Sequence, residues 1–201
     1  MDITFVFQIA VLIMSVVVHE VSHGYAASAL GDQTARYEGR LTLNPIKHLD
    51  FVGSFLVPFI SYSLGGFIIG WAKPVPYNPH NLRPGRWSEA MVAGAGPASN
   101  LAIAIIFGLL LRVGVPNMAF MEIAAIIVFI NIVLAIFNLM PIPPLDGSKI
   151  LFAIFPQKFY QMRQFFESYG LILLLFFIFF LWRLVLPLVI ALFQLITGMA
   201  P

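Results

Sequence analysis

The sequence predicts an all-α polytopic membrane protein of about four to six transmembrane helices, with a re-entrant or β-hairpin segment folded around a metal site. Three observations carry that prediction. Of the 201 residues, 60% are hydrophobic and only 10% charged, and the mean hydropathy of +0.94 lies far outside the range of soluble domains. Several stretches approach the length of about 20 apolar residues that a membrane span requires. Inside the first of them stands His19-Glu20-Val21-Ser22-His23, flanked by apolar residues from Val11 to Val18 and again from Gly24 to Leu30. Ionisable groups in hydrocarbon cost several kcal/mol unless partnered, so a cluster at this depth points to function.

The elements follow in order. Helix one is expected over Ile3 to Leu30, stopped by Gly31-Asp32. It is too long, and too polar at its end, for a cleaved signal peptide. A polar loop runs from Asp32 to Asp50. Phe51 to Trp71 is apolar but carries Gly53, Pro58, Ser61, Ser63, Gly65 and Gly66, more breakage than a plain span tolerates. Lys73 to Gly85 is loop, because Pro74, Pro76, Pro79 and Pro84 exclude regular helix. Glu89 to Leu111 and Phe120 to Leu139 are both of spanning length. Gly94, Ala95, Gly96, Ala98 and Ser99 suit close helix packing. Pro141, Pro143 and Pro144 forbid helix just before Leu145-Asp146-Gly147-Ser148. An amphipathic stretch from Lys149 to Glu167 leads into Tyr169 to Thr197, apolar except for Arg183, with Pro187 as a kink or hairpin break. The whole chain, residues 1–201, reads as one membrane-embedded domain, with a core over 1–150 and a helical C-terminal region over 150–201.

H-E-x-x-H is a spacing with chemical content. Two histidines four residues apart share one helix face, so both imidazoles can bind one Zn²⁺ while Glu20 can reach a water beside the metal as general base. The chain has no cysteine, so the zinc must be held by nitrogen and oxygen. A catalytic zinc usually has three protein ligands and one open position, so a further residue must come from elsewhere. Beyond helix one the candidates are Asp32, Glu38, Asp50, Glu89, Glu122, Asp146, Glu167, His48 and His80. Asp146 stands out because it follows a span across a proline-broken segment, where non-helical backbone can line a wet cavity. The same Asp-Gly-Ser after prolines is also ordinary turn sequence.

His19-Glu20-Val-Ser-His23, Gly96-Pro97-Ala-Ser-Asn100 and Asn138-Leu-Met-Pro-Ile-Pro-Pro-Leu-Asp146-Gly147 together resemble the site-2 protease family of intramembrane zinc metalloproteases, over residues 1 to about 150. Leu43-Asn-Pro-Ile-Lys-His-Leu-Asp50 followed by Gly70-Trp-Ala-Lys-Pro-Val-Pro76 looks like a compact prokaryotic subgroup without PDZ modules. The resemblance implies that Asp146 is the third zinc ligand, and that Asn138 contacts substrate backbone near the metal. It implies one Zn²⁺ per chain, with Glu20 passing the proton of the attacking water to the leaving amine. Taken by itself, Asn138 fits either a hydrogen bond to substrate or an oxyanion, or packing between helices; Asn100 and Asn131 read as interhelical glue.

Topology can be tested within the sequence. If Phe51 to Trp71 crossed fully, Asp146 would return to the face where helix one begins, away from His23. If that stretch is re-entrant, Asp146 emerges where helix one ends. Re-entry also places Arg36, Arg40, Lys47, Lys73, Arg83, Arg86, Lys149, Lys158 and Arg163 on one face, with only Arg112 opposite and Arg183 within the membrane. The positive-inside rule then sets the active-site mouth towards the cytoplasm of a prokaryotic cell membrane, with the N-terminus outside. Gly65 to Pro76 is either a β edge able to hold an extended substrate or a membrane-dipping turn. His48, beside Asp50 and just before this stretch, reads as an accessory ligand, a gate or a partner of the site, or else as a residue that caps a turn. His80 reads as surface.

The expected partners are the bilayer and single-span membrane proteins or peptides as substrates. A net charge of +2 is too small to imply nucleic acid. The alternative from another class is a non-proteolytic membrane protein that binds a metal or escorts a transmembrane client on the same fold. Glu20 discriminates against it, since binding needs ligands but no adjacent base. A transporter would show inverted internal repeats, and none is found.

Overall fold

The computed structural model describes residues 3–57, 59–60, 72–114, 117–155 and 160–199. Among them the regular structure is helical and no strand occurs. Helix α1, Ile3–Ala29, ends one residue short of expectation. Gly31 adopts a left-handed φ of 113°, and Asp32 N–H returns to the Ala27 carbonyl at 2.9 Å, so the predicted stop closes the helix. A single turn, α2 (Thr34–Tyr37), and a 3₁₀ turn at Pro45–His48 interrupt the loop that follows. Residues 51–57 and 59–60 are helical, with a π turn over Val52–Leu56. The tip of the stretch read as re-entrant or as a β edge, residues 61–71, lies outside the described residues. Its two flanks meet: Lys73 N–H donates to the His48 carbonyl at 2.8 Å.

Helix α3, Ser88–Val113, and helix α4, Met118–Asn138, extend the two expected spans by one or two residues at most of their ends. Asn117 caps α4 by accepting from Phe120 N–H at 3.1 Å. Helix α3 is the hub, packing against α1, α4 and the short helix α5, Asp146–Ile154. Asp146 thus opens a helix, and the amphipathic stretch expected from Lys149 to Glu167 divides into α5 and the start of α6, Tyr160–Phe176. A π turn over Phe177–Leu181 joins α6 to α7, Trp182–Thr197. The expected kink or hairpin at Pro187 takes another form, since the helix continues through Pro187 and its irregularity falls at the π turn. One pyrrolidine removes a single backbone hydrogen bond, which a helix tolerates when packing holds both sides. Val189 and Phe193 supply that packing, buried against Ala104, Leu111 and Val128.

Among the described residues, four helical runs are long and apolar enough to cross a membrane: Phe7–Ala29, Ser88–Val113, Met118–Asn138 and Gln161–Thr197. The last has 37 residues. At 1.5 Å per residue it spans about 55 Å, well beyond a hydrocarbon core of about 30 Å. Its polar first turns, which hold the Arg163–Glu167 pair at 2.7 Å, therefore lie outside the span. Large apolar side chains such as Leu109, Leu171, Phe180 and Leu184 point outwards, as lipid contact requires.

The loops are tied to the end of α1 by a buried carboxylate. Asp32 is fully buried and accepts from Thr34 Oγ1 at 2.6 Å, Thr34 N at 3.2 Å, Asn78 N at 2.8 Å and Asn81 Nδ2 at 3.0 Å. Burial pushes its carboxyl up, but the donated hydrogen bonds outweigh burial and hold it below the usual carboxylate range. His80, beside this anchor, is exposed as expected. Because the folded-state pKa is depressed, the carboxylate's contribution is present above the unfolded value of about 4 and is lost as pH falls through the folded value. Asp32→Asn is expected to lower stability by about 1–3 kcal/mol at pH 7. In thermal unfolding of detergent-solubilised protein, the gap to wild type closes as pH drops below about 4.

Candidate metal centre

Periodicity puts His19 and His23 on the same face of α1, and the turn after the Pro141-Pro143-Pro144 break brings Asp146 to them. His19 Nε2 and His23 Nε2 are 3.0 Å apart, and each lies 3.1 Å from Asp146 Oδ2. All three residues are buried. The other ring nitrogens decide the chemistry. His23 Nδ1 lies 2.7 Å from the Val92 carbonyl, which can only accept, so Nδ1 carries the proton. His19 Nδ1 lies 2.6 Å from Asn100 Oδ1. The orientation of that amide follows from its own contacts: Asn100 Nδ2 faces the Ser15 carbonyl at 3.3 Å and Asn131 Oδ1 at 2.8 Å. Asn131 is oriented in turn by donating to the Ile127 carbonyl at 2.9 Å. His19 therefore also donates from Nδ1.

In the neutral imidazoles the Nε2 atoms are the ones left with lone pairs, and these converge with a carboxylate oxygen. Three convergent donors in a buried site are an arrangement that can hold a cation. A tetrahedral zinc with bonds of about 2.0–2.1 Å sets neighbouring ligand atoms about 3.3 Å apart, close to the triangle formed here. The N₂O donor set fits zinc, and His19, His23 and Asp146 are the residues that would hold it.

Gly96 makes room for this arrangement. A Cβ there would stand 2.5 Å from His23 Nε2 and 2.6 Å from His19 Nε2, so α3 can approach the imidazoles only with glycine at this position. Asn100 follows one turn later on the same face. Its interhelical role, with Asn131 and Ser15, is joined by a second role of orienting His19. Sequence reasoning missed the second role, along with the Val92 carbonyl and Val75, whose N–H donates to Glu20 Oε2 at 2.8 Å. Backbone partners leave no trace in residue identity. The i, i+4 pairs Ser15/His19 and Gly96/Asn100 were a usable signal.

Glu20 is half-buried beside the triangle and is not one of its donors. Asn138 donates to the Leu134 carbonyl of its own helix at 2.9 Å. His48 is 1% exposed and lies within the loop turn, donating from Nε2 to the Thr42 carbonyl at 2.8 Å, and it too is outside the triangle.

Comparison with known proteins gives the same direction. The model of peptidase family M50 matches residues 7–117 and 113–181. The chain belongs to family M50, the site-2 protease family. The two matched stretches overlap at residues 113–117, leaving no room between them for an inserted module. The chain is 39% identical over 178 residues to "Putative zinc metalloprotease YwhC" of Bacillus subtilis, covering 84% of this chain and 78% of that protein. It is 34% identical over 149 residues to "Putative zinc metalloprotease Rip2" of Mycolicibacterium smegmatis, covering 73% of this chain and 56% of that protein. To "Putative zinc metalloprotease MJ0611" of Methanocaldococcus jannaschii it is 31% identical over 155 residues, with 72% of each chain covered. No solved structure matches the chain.

Removing any one of three ligands should abolish tight binding, whereas removing an orienting partner should weaken it. By elemental analysis after purification, Asp146→Ala is expected to retain as little zinc as His23→Ala. Asn100→Ala is expected to bind with about 10–100-fold lower affinity. Full zinc content in Asp146→Ala would exclude it as a ligand.

Proposed function

We propose that this M50 member is an intramembrane zinc endopeptidase that hydrolyses peptide bonds in or near the transmembrane segments of single-span membrane proteins. The observation that carries the reading is the convergence of three lone-pair donors with a glutamate one residue away on the same helix turn. Zinc held by His19, His23 and Asp146 would supply Lewis-acid polarisation and lower the pKa of water at the site towards neutral. Glu20, with one oxygen held by Val75 N–H, keeps the other to accept the proton of the attacking water. It then returns that proton to the leaving amine nitrogen. Asn138, half-buried at the end of α4 and just before the proline break, is assigned to hydrogen-bond the substrate backbone. His48 is assigned an accessory part, shaping the loop at the site's mouth.

The reading extends to topology and placement. The Lys73–His48 backbone contact supports re-entry of the intervening segment, since a full crossing would separate its ends by the membrane thickness. With three spans before Asp146, the carboxylate would emerge on the face where α1 ends, and the basic loops support a cytoplasmic position for that face in a prokaryotic cell.

Two experiments test these proposals. In proteoliposomes, Glu20→Gln is expected to retain zinc and fold while losing cleavage of single-span proteins by a factor of about 10³ or more. Activity within a few-fold of wild type would mean that another base operates. For topology, the cysteine-free chain suits labelling by an impermeant maleimide. Single cysteines at Lys47, Lys73 and Lys158 are expected to react from one side and a cysteine at Asn117 from the other. Labelling at Lys47 and Lys73 from opposite faces would establish a full crossing.

A further inference from the structure

Arg40 is 6% exposed and, among the described residues, forms no ion pair. Its Nη2 donates to the Lys73 carbonyl at 2.9 Å and to the Pro74 carbonyl at 3.2 Å, while its Nε has no hydrogen-bond partner among the described residues. A buried guanidinium is an expensive way to hold two neutral carbonyls, because its charge must be desolvated without a carboxylate in return. The far side of the Pro74–Val75 peptide supplies a reason. The same planar unit that presents its carbonyl to Arg40 presents its N–H to Glu20 Oε2 at 2.8 Å. In a trans peptide these two groups point in opposite directions. One peptide dipole therefore lies between a cation at its negative end and a carboxylate at its positive end, and each charge strengthens the other's hydrogen bond.

We infer that Arg40 is a positioning residue for the general base, acting on Glu20 through the Pro74–Val75 peptide. The surrounding sequence makes the relay stiff. Pro74 fixes its own φ, and Pro76 confines Val75 to extended backbone. Lys73 N–H is held by the His48 carbonyl, so the strap is anchored on the residue before the relay. Gly24 lets the strap seat against α1: a Cβ there would stand 2.5 Å from Leu41 Cδ2 and 2.8 Å from Val75 Cγ1. With Oε2 fixed, the carboxylate is held in one orientation, which leaves its other oxygen for the proton. Loss of the cation leaves the metal ligands untouched but loosens the base, so turnover falls while substrate affinity is kept.

This assignment rests on the protease reading for its kinetic consequence, and one measurement tests it independently. Pro74-Val75 is the only Pro-Val pair in the chain. Full-length protein labelled with ¹³C-carbonyl proline and ¹⁵N-valine therefore gives a single carbonyl-to-amide correlation in NMR, that of Val75. In the wild type its amide proton is expected downfield, as a charge-assisted donor, and both Glu20→Gln and Arg40→Gln move it upfield. Arg40→Gln is expected to keep wild-type zinc content and lower kcat about 10-fold with KM within about twofold, and Arg40→Lys to recover part of the loss. A Val75 resonance unmoved in either glutamine variant overturns the assignment, as does an Arg40→Gln defect confined to KM or accompanied by zinc loss. Should Arg40→Gln fail to fold, the Val75 shift in Glu20→Gln and in Arg40→Lys decides in its place. A wild type that cleaves nothing would defeat the protease reading, and the resonance would still decide the relay.

Discussion

Two imidazole nitrogens and a carboxylate oxygen held about 3 Å apart in a buried site are the constraint around which this protein is arranged. Brought this close, the three atoms repel one another unless a proton or a cation sits between them. The fold does not avoid this repulsion. Each histidine is locked by a hydrogen bond on its other nitrogen, one to the Val92 carbonyl and one to Asn100, so neither ring can turn away or carry its proton inward. The three side chains are thus held in a geometry that suits a metal, and an ion bound there would make the bundle's stability and its affinity for the ion parts of the same free energy.

The polar chain behind His19 shows how such a site is supported in lipid. Asn100, Asn131 and Ser15 lie on three different helices, the two asparagines fully buried, and each amide is oriented by a main-chain carbonyl. In hydrocarbon an unsatisfied amide costs several kcal/mol, so a fully connected network holds α1, α3 and α4 in one register. Around it the core is plain apolar packing of α3 and α4 against α7, with Val128, Ile132 and Val189 fully buried. The C-terminal helices complete the bundle and contribute no donor to the metal triangle.

On the loop side the organisation is electrostatic. Asp32 gathers the loops at the end of α1, and Arg40 gathers the strap that touches Glu20. A proteolytic centre in a membrane needs water on one side and dryness on the other. Charged residues buried among main-chain groups give the loop side rigid walls without hydrophobic bulk, and Glu20 is held where those walls meet the bundle.

Much of this was determined by the sequence itself. Apolar run lengths set the spans at residues 3–29, 88–113 and 118–138 to within a few residues, because a span is a local property of about 20 residues in one solvent. The 3.6-residue period placed His19 and His23 on one face, and three prolines marked where helix had to stop before Asp146. Other features lay beyond its reach. That Asp146 meets the histidines, that Gly96 is the surface they rest on, and that Asn100 orients His19 as well as joining helices all depend on which helices are neighbours. The same holds for the continuation of the last helix through Pro187, where packing at Val189 and Phe193 outweighs one lost hydrogen bond. Least legible were the Val92 carbonyl and the Pro74–Val75 peptide. Every residue carries those same groups, and only tertiary structure decides which of them faces a histidine or a glutamate.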